Sequence, residues 1–224
     1  MKTIKSSYIL LVSLITVSTI IVSFLFGCNA DVAPQVKNKP DFVDFPHYKR
    51  AYFAGGCFWC VESNYEKVYG VIEVISGYSG GYVTNPTYRQ VSSGKTGHVE
   101  AVEVIYDPEK VNYNKLLNEL WYLIDPTDDD GSFSDRGKEY RSVIFYTSEE
   151  EKIMAEKSIK KLEQSERYSK PIVTEVRPFS IFYKAGEIHQ DYYKKNPLRY
   201  NYYRFRSGRD RYLEKTWGND LYKR

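Results

Sequence analysis

The order of the apolar segments between residues 49 and 146 constrains the fold more than any other feature of this chain. Segments at 49–54, 71–78, 99–106 and 141–146 have the composition of β-strands. Helical patterns separate the first from the second and the third from the fourth. This β-α-β-β-α-β order is that of the split βαβ motif, in which two helices cover one sheet face. The sequence therefore predicts an α+β fold, a two-layer sandwich with a ferredoxin-like split βαβ core, irregular loops and a long C-terminal tail.

Polar residues and glycines indicate where the helices begin. The Gly55-Gly56 pair interrupts the first strand just before a helical pattern. Asn112 is a candidate N-cap for the helix before the fourth strand. Ser148 followed by Glu151 predicts a capping box at the start of a further helix.

Composition limits the classes of partner and fold. Apolar residues make up 42% of the 224 residues and charged residues 27%, which excludes a wholly disordered chain. The net charge is only +3, with cations interleaved among acids, so nucleic acid is not a predicted partner. The three cysteines are too few for a disulfide framework.

Residues 1–27 have the pattern of an export signal. Lys2 and Lys5 precede an uncharged apolar run over residues 8–26. An aliphatic residue lies three positions before Cys28 and a glycine directly before it, which resembles the bacterial lipoprotein cleavage site, where the cysteine carries lipid. Two alternatives remain open. The segment could be an uncleaved transmembrane anchor, because the apolar run is long enough to cross a hydrocarbon core of roughly 30 Å. It could also be an ordinary secretion signal. Each alternative predicts a domain outside the cytoplasm.

The remaining chain divides into a tether, one domain and a tail. Residues 28–47 contain three prolines and no sustained periodicity, which predicts a flexible linker that holds the domain roughly 25 Å from a membrane. The domain is expected over residues 48–197, with its last strand at 172–177. Residues 198–224 are rich in Tyr and Arg, and we expect this tail to pack on the domain.

Two cysteines lie where the first helix should begin. Cys57 follows the glycine pair directly, and unpaired N–H groups with the helix dipole favour a thiolate there, which predicts a lowered pKa. Cys60 is one turn further on the same face, so the two sulfurs can approach each other. A redox-active pair is favoured over a static disulfide or half of a metal site. Zinc needs four ligands, and the three histidines lack the spacing of zinc ligands.

A set of motifs over residues 48–197 resembles the A-type peptide methionine sulfoxide reductases. In order, the motifs are Gly56-Cys57-Phe58-Trp59, Asn85-Pro86-Thr87-Tyr88-Arg89, Thr96-Gly97-His98 with Glu100, Asp135-Arg136-Gly137, Tyr140-Arg141-Ser142 and His189-Gln190-Asp191-Tyr192. The resemblance implies reduction of the S epimer of methionine sulfoxide, free or in proteins, through attack by Cys57.

The resemblance also implies roles for polar residues around the reacting sulfur. Glu100 matches the family's general acid, and its apolar strand context would raise its pKa by burial and keep it protonated. Tyr88 and Tyr140 match the hydroxyl donors to the substrate oxygen. Asp135 matches a carboxylate that orients the other groups.

Apolar and histidine residues of the motifs have expected roles as well. Phe58 and Trp59 match the family's pocket for the S-methyl group. His98 and His189 are interpreted as structural residues near the site, and no metal is expected.

The recycling chemistry is predicted to use Cys60. In much of the family the resolving cysteines lie in the tail, but no cysteine follows Cys60 here. Cys60 is therefore expected to condense with a sulfenic acid on Cys57 and form a disulfide. An external thioredoxin-like dithiol would then reduce it, with no bound cofactor. We expect a monomer whose partners are oxidised proteins or free methionine sulfoxide, this dithiol and the membrane.

Two other functions stay open from the residues alone. A strand followed by a CxxC helix also occurs in thioredoxin-like oxidoreductases, which act on protein disulfides. A non-enzymatic lipoprotein, such as an adhesin or scaffold, could use its many tyrosines for binding and the cysteine pair as a staple.

Overall fold

The structure is a computed structural model that describes residues 47 to 222. The predicted signal segment, the tether up to residue 46 and the lipidation site Cys28 lie outside the described residues. None of the helices within residues 47 to 222 is both long and apolar enough to cross a bilayer.

Six of the described strands form one sheet, in the order β7-β6-β1-β3-β2-β8. Within it, β6-β1-β3-β2 are antiparallel neighbours, which is the arrangement of the split βαβ motif. The predicted α+β fold is therefore confirmed, and the sheet is extended by β7, parallel to β6, and by β8 beside β2. The strands are β1 (Lys49–Gly55), β2 (Val71–Ser79), β3 (Val99–Tyr106), β4 (Gly131–Ser132), β5 (Asp135–Arg136), β6 (Ser142–Tyr146), β7 (Glu175–Pro178) and β8 (Phe182–Lys184).

The helices begin close to the predicted positions. Asn112 caps its helix by accepting a hydrogen bond from the Lys115 N–H at 2.9 Å, as predicted. Only one of the two hydrogen bonds of the predicted capping box forms. Ser148 accepts from the Glu151 N–H, but the Glu151 carboxylate binds the N–H of Thr147 instead of Ser148. The helices are α1 (Phe58–Tyr65), α2 (Tyr88–Val91), α3 (Tyr113–Trp121), α4 (Glu149–Gln164), α5 (Tyr192–Lys195), α6 (Pro197–Ser207) and α7 (Arg209–Trp217).

The sheet separates two apolar clusters because successive strand residues point to opposite faces. Phe53 and Val102 belong to the larger cluster, which includes Leu117 of α3. Tyr52 belongs to the smaller cluster on the other face. Glu100 lies two residues before Val102 on β3, so it points toward the face that α1 and α3 cover.

The C-terminal helices are tied to the domain by one buried guanidinium. Arg209 of α7 is fully buried, and its Nη1 donates to the carbonyls of Leu123 at 2.6 Å and Gly55 at 3.3 Å. Its Nη2 lies 3.3 Å from the Ser132 hydroxyl. One side chain thus joins α7 to the end of β1, the segment after α3 and the β4–β5 hairpin, all next to Cys57.

Replacing this guanidinium should destabilise the whole domain. We expect Arg209→Met to lower the free energy of unfolding by about 3 kcal/mol, because two buried carbonyls lose a charged donor. The measurement is the urea midpoint at constant slope. Arg211→Met, at an exposed position of the same helix, is the control and should stay within about 0.5 kcal/mol of the parent. Equal midpoints for the two variants would contradict the anchoring role.

Candidate active site

A glycine turn brings the chain from β1 into α1 and places Cys57 at the helix start. Gly56 has a φ of +85°, and a Cβ at this position would lie 2.3 Å from the Ser132 Cβ, so only glycine fits. Cys57 is the N-cap residue of α1, and its carbonyl accepts the Cys60 N–H at 3.0 Å. The two cysteines therefore face each other across one helical turn, as the spacing predicts.

A small cavity of about 60 Å³ opens beside Cys57. This is room for about two water molecules, and so for the end group of a side chain. Seven of the eight lining residues are site residues predicted from the sequence, and Tyr203 of α6 is the addition. The lining consists of Cys57, Phe58, Trp59, Tyr88, Glu100, Asp135, Tyr140 and Tyr203.

Glu100 is a buried carboxyl group next to the helix start. Only 2% of the residue is exposed, and its Oε2 accepts the Phe58 N–H at 2.9 Å. Burial raises its pKa to about 8, although the Phe58 N–H opposes this shift. Glu100 therefore carries a proton near neutral pH and can donate it into the cavity.

Three further oxygen groups line the cavity. Burial raises the pKa of both Tyr88 and Tyr140, so both keep their O–H groups, although the neighbouring Tyr140 hydroxyl opposes the shift at Tyr88. Burial also raises the pKa of Asp135, while the bond from the Tyr203 hydroxyl and the charge of Arg209 lower it. The cavity thus holds two neutral hydroxyl donors and an anchored carboxyl group.

Aromatic rings form the apolar walls. Trp59 stacks on Tyr192 with ring centroids 3.7 Å apart and planes inclined by 5°. The Tyr203 ring meets the Trp59 ring edge-on at 6.1 Å. Phe58 packs against His189 with ring centroids 5.2 Å apart, so this histidine supports a residue of the pocket wall. These contacts hold Trp59 in one orientation beside the reacting sulfur.

The two thiols differ in burial and in charge. Both are free, with Cys57 6% exposed and Cys60 fully buried behind it. The hydrogen bond from Cys57 is the main cause that lowers the pKa of Cys60 to about 6, and the charges of Arg209 and Arg204 add to it. The two sulfurs thus have unlike surroundings, and only Cys57 lines the cavity.

The predicted low pKa of Cys57 is wrong for this resting site. Burial is the main cause that raises its pKa, followed by its hydrogen bond to Cys60 and the charges of nearby acids. The N–H of Phe58, which the helix start could offer to a thiolate, is bound to Glu100 instead. The N–H group at the helix start thus orients the acid instead of a thiolate.

His98 supports a loop and does not line the cavity. Its Nδ1 accepts the Gly81 N–H at 3.1 Å, so its Nε2 donates to the Val83 carbonyl at 2.8 Å. Both nitrogens are used by the main chain, in keeping with the structural interpretation.

One acidic group among the described residues has the spacing of a metal site. Glu62, Glu66 and Asp191 have oxygens within 4.8 Å of one another. The Lys194 ammonium binds Glu66 at 2.5 Å and Asp191 at 2.8 Å, so a side-chain cation already occupies this place.

The tail contributes site residues that the sequence motifs missed. Tyr203 lines the cavity, and Tyr200 packs against Cys60. Tyr200, Tyr203 and Arg204 have the i, i+3, i+4 spacing of one helix face. This helical spacing is the sequence signal that could have placed the three residues on one face, because the tail contains none of the family motifs.

Comparison with known proteins identifies the family. The family model of peptide methionine sulfoxide reductase matches residues 49–221. The peptide methionine sulfoxide reductase MsrA of Halalkalibacterium halodurans is 52% identical over 170 residues, which cover 76% of this chain and 97% of that protein. The MsrA/MsrB protein of Vibrio cholerae is 51% identical over 188 residues, or 83% of this chain. The chain spans only 50% of that longer relative.

Solved structures agree with the sequence relatives. Methionine sulfoxide reductase A of Corynebacterium diphtheriae has a TM-score of 0.61 and 32% identity, covering 68% of this chain and 77% of that one. Reduced Mxr1 of Saccharomyces cerevisiae has a TM-score of 0.64 and 30% identity, and the match covers 69% of this chain and 88% of that one. The chain therefore belongs to the peptide methionine sulfoxide reductases, oxidoreductases that act on methionine sulfoxide, and to their A type.

Proposed function

We propose that this chain reduces methionine S-sulfoxide, free or within proteins, to methionine. One observation carries the proposal: Cys57 and Glu100, whose pKa is raised by burial, line the same small cavity, together with Phe58 and Trp59. A methyl sulfoxide group needs an apolar wall for its methyl, a nucleophile for its sulfur and a proton for its oxygen. Family membership also favours this function over a thioredoxin-like disulfide oxidoreductase or a non-enzymatic scaffold.

The first half-reaction transfers the substrate oxygen to Cys57. The Cys57 sulfur attacks the sulfoxide sulfur as a thiolate. The oxygen receives a proton from Glu100 and hydrogen bonds from Tyr88 and Tyr140, as Asp135 holds the neighbouring groups. Methionine leaves, Cys57 becomes a sulfenic acid, and the negative charge passes to Glu100.

The proton on Glu100 should set the pH above which the rate of methionine formation falls. Because burial raises its pKa to about 8, the acid is protonated below this pH, and the rate should fall as pH rises through it. Glu100→Gln can still hydrogen-bond the oxygen and should keep more activity than Glu100→Ala, which we expect to lose about 10²- to 10⁴-fold. The measurement is single-turnover methionine formation against pH. Equal rates for the two variants would exclude a donor role.

The second half-reaction restores the thiols. Cys60 attacks the sulfenic sulfur of Cys57, water leaves, and a disulfide forms. No cysteine follows Cys60, so an external thioredoxin-like dithiol is proposed to reduce this disulfide, without a bound cofactor. The two free, buried thiols at the start of α1 support this assignment.

Loss of the second thiol should separate the two half-reactions. Cys60→Ser is expected to release about one methionine per enzyme and then stop when thioredoxin is the reductant, because its sulfenic acid has no neighbouring thiol. The measurement is methionine released per active site over time. Cys28→Ser, outside the domain, is the control and should turn over repeatedly. Steady turnover by Cys60→Ser at the parent rate would refute the resolving role.

We propose that the enzyme acts outside the cytoplasm, attached through lipid at Cys28. The support is the sequence of residues 1–28 alone. Mass spectrometry of the native N-terminal peptide should find Cys28 as the first residue, carrying acyl chains, and Cys28→Ser should abolish this modification. An N-terminal peptide that starts at Met1 would show an uncleaved anchor instead.

A further inference from the structure

A buried carboxyl group on α1 joins this helix to the loop before α5. Glu62 lies three residues after Trp59, so both side chains are on the same face of the helix. Glu62 is fully buried, and its Oε1 accepts the N–H of Asp191 at 2.9 Å. The proposed reaction gives Glu62 no part, because the acid that lines the cavity is Glu100.

The loop that Glu62 binds is held on two sides. Asp191 has a φ of +53°, in the left-handed region that is unfavourable for residues other than glycine. The Oε1 of Gln190 accepts the Ser76 N–H at 2.9 Å, and its Nε2 donates to the carbonyls of Ser76 and Ala185 at 2.9 and 2.8 Å. Gln190 therefore attaches the loop to β2, and Glu62 attaches it to α1.

This loop and the first residue of α5 place two rings against the walls of the cavity. Tyr192 stacks on Trp59 with ring centroids 3.7 Å apart. His189 packs against Phe58 at 5.2 Å and against Tyr88 at 4.5 Å between ring centroids. Trp59, Phe58 and Tyr88 all line the cavity, so the place of the loop sets the place of three cavity residues.

We propose that Glu62 is a positioning residue that fits the cavity to the S-methyl group, because its bond to the Asp191 N–H holds Tyr192 against Trp59. The inference rests on the proposed function and adds to it a determinant of which S-alkyl groups the site accepts. The cavity has a volume of only about 60 Å³, so a shift of the Trp59 ring changes the size of the group that fits.

The test compares methionine S-sulfoxide with ethionine S-sulfoxide, which carries one more methylene group on its sulfur. In the full-length chain, Glu62→Met removes the carboxyl oxygens at similar length, and Glu62→Gln keeps an acceptor for the Asp191 N–H. We expect the ratio of kcat/KM for the methyl substrate over the ethyl substrate to fall about tenfold in Glu62→Met and to stay within about twofold of the parent in Glu62→Gln, because one methylene group in a fitted apolar pocket changes kcat/KM by about 10- to 200-fold.

Two further variants separate positioning from a general loss of stability. Tyr65→Phe removes another buried hydrogen bond of α1, from the Tyr65 hydroxyl to the Leu116 carbonyl at 2.9 Å, and should lower the urea midpoint at the parent ratio. Tyr192→Leu removes the stacked ring and should lower the ratio as Glu62→Met does. The double variant of Glu62 and Tyr192 should lower it no further, because both changes act on the same contact.

A shorter acid keeps the test valid if Glu62→Met does not fold. Glu62→Asp retains the carboxylate but withdraws it from the Asp191 N–H by one methylene group. It should lower the ratio in the same direction by a smaller factor.

Four results would overturn the inference: equal ratios in Glu62→Met and Glu62→Gln, an equal fall in Tyr65→Phe, additive falls in the double variant, or a parent enzyme with no preference for the methyl substrate. If the parent reduces neither sulfoxide, the proposed function itself fails. If the parent reduces methionine S-sulfoxide while Glu62→Met keeps the parent ratio, only this inference fails.

Discussion

The hydrogen bond between the Glu100 carboxyl and the Phe58 N–H is the contact on which the rest of the site depends. It connects the middle strand of the split βαβ core to the first residue of the helix that carries both cysteines. The acid is thereby held beside Cys57 and buried on one face of the sheet. The same burial keeps its proton in place near neutral pH, because a desolvated carboxylate is costly.

The chemistry proposed for the site follows from this arrangement. A neutral acid, two neutral tyrosines and the Cys57 thiol line the cavity, and Cys60 is buried outside its lining. In the proposed function, Cys57 meets the sulfur of the substrate, and Cys60 is kept for the step that closes the disulfide.

The C-terminal helices complete the site from the outside. Tyr203 closes the cavity, Tyr200 covers the second sulfur, and Arg209 joins the tail to the turn before Cys57. The tail thus supplies hydroxyl and guanidinium groups to the surroundings of the two cysteines.

The sequence by itself determined the α+β order of elements, the cysteine pair at a helix start and seven of the eight cavity residues, because strand periodicity, caps and contiguous motifs are local signals. Only the tertiary structure decided which group uses the Phe58 N–H, because this donor could serve either Cys57 or Glu100 and the fold gives it to the acid. It also decided the places of Tyr203 and Arg209, which lie about 150 residues from Cys57 along the chain and reach it only when α6 and α7 pack on the domain. Long-range burial and charge set these properties, and no local pattern records them.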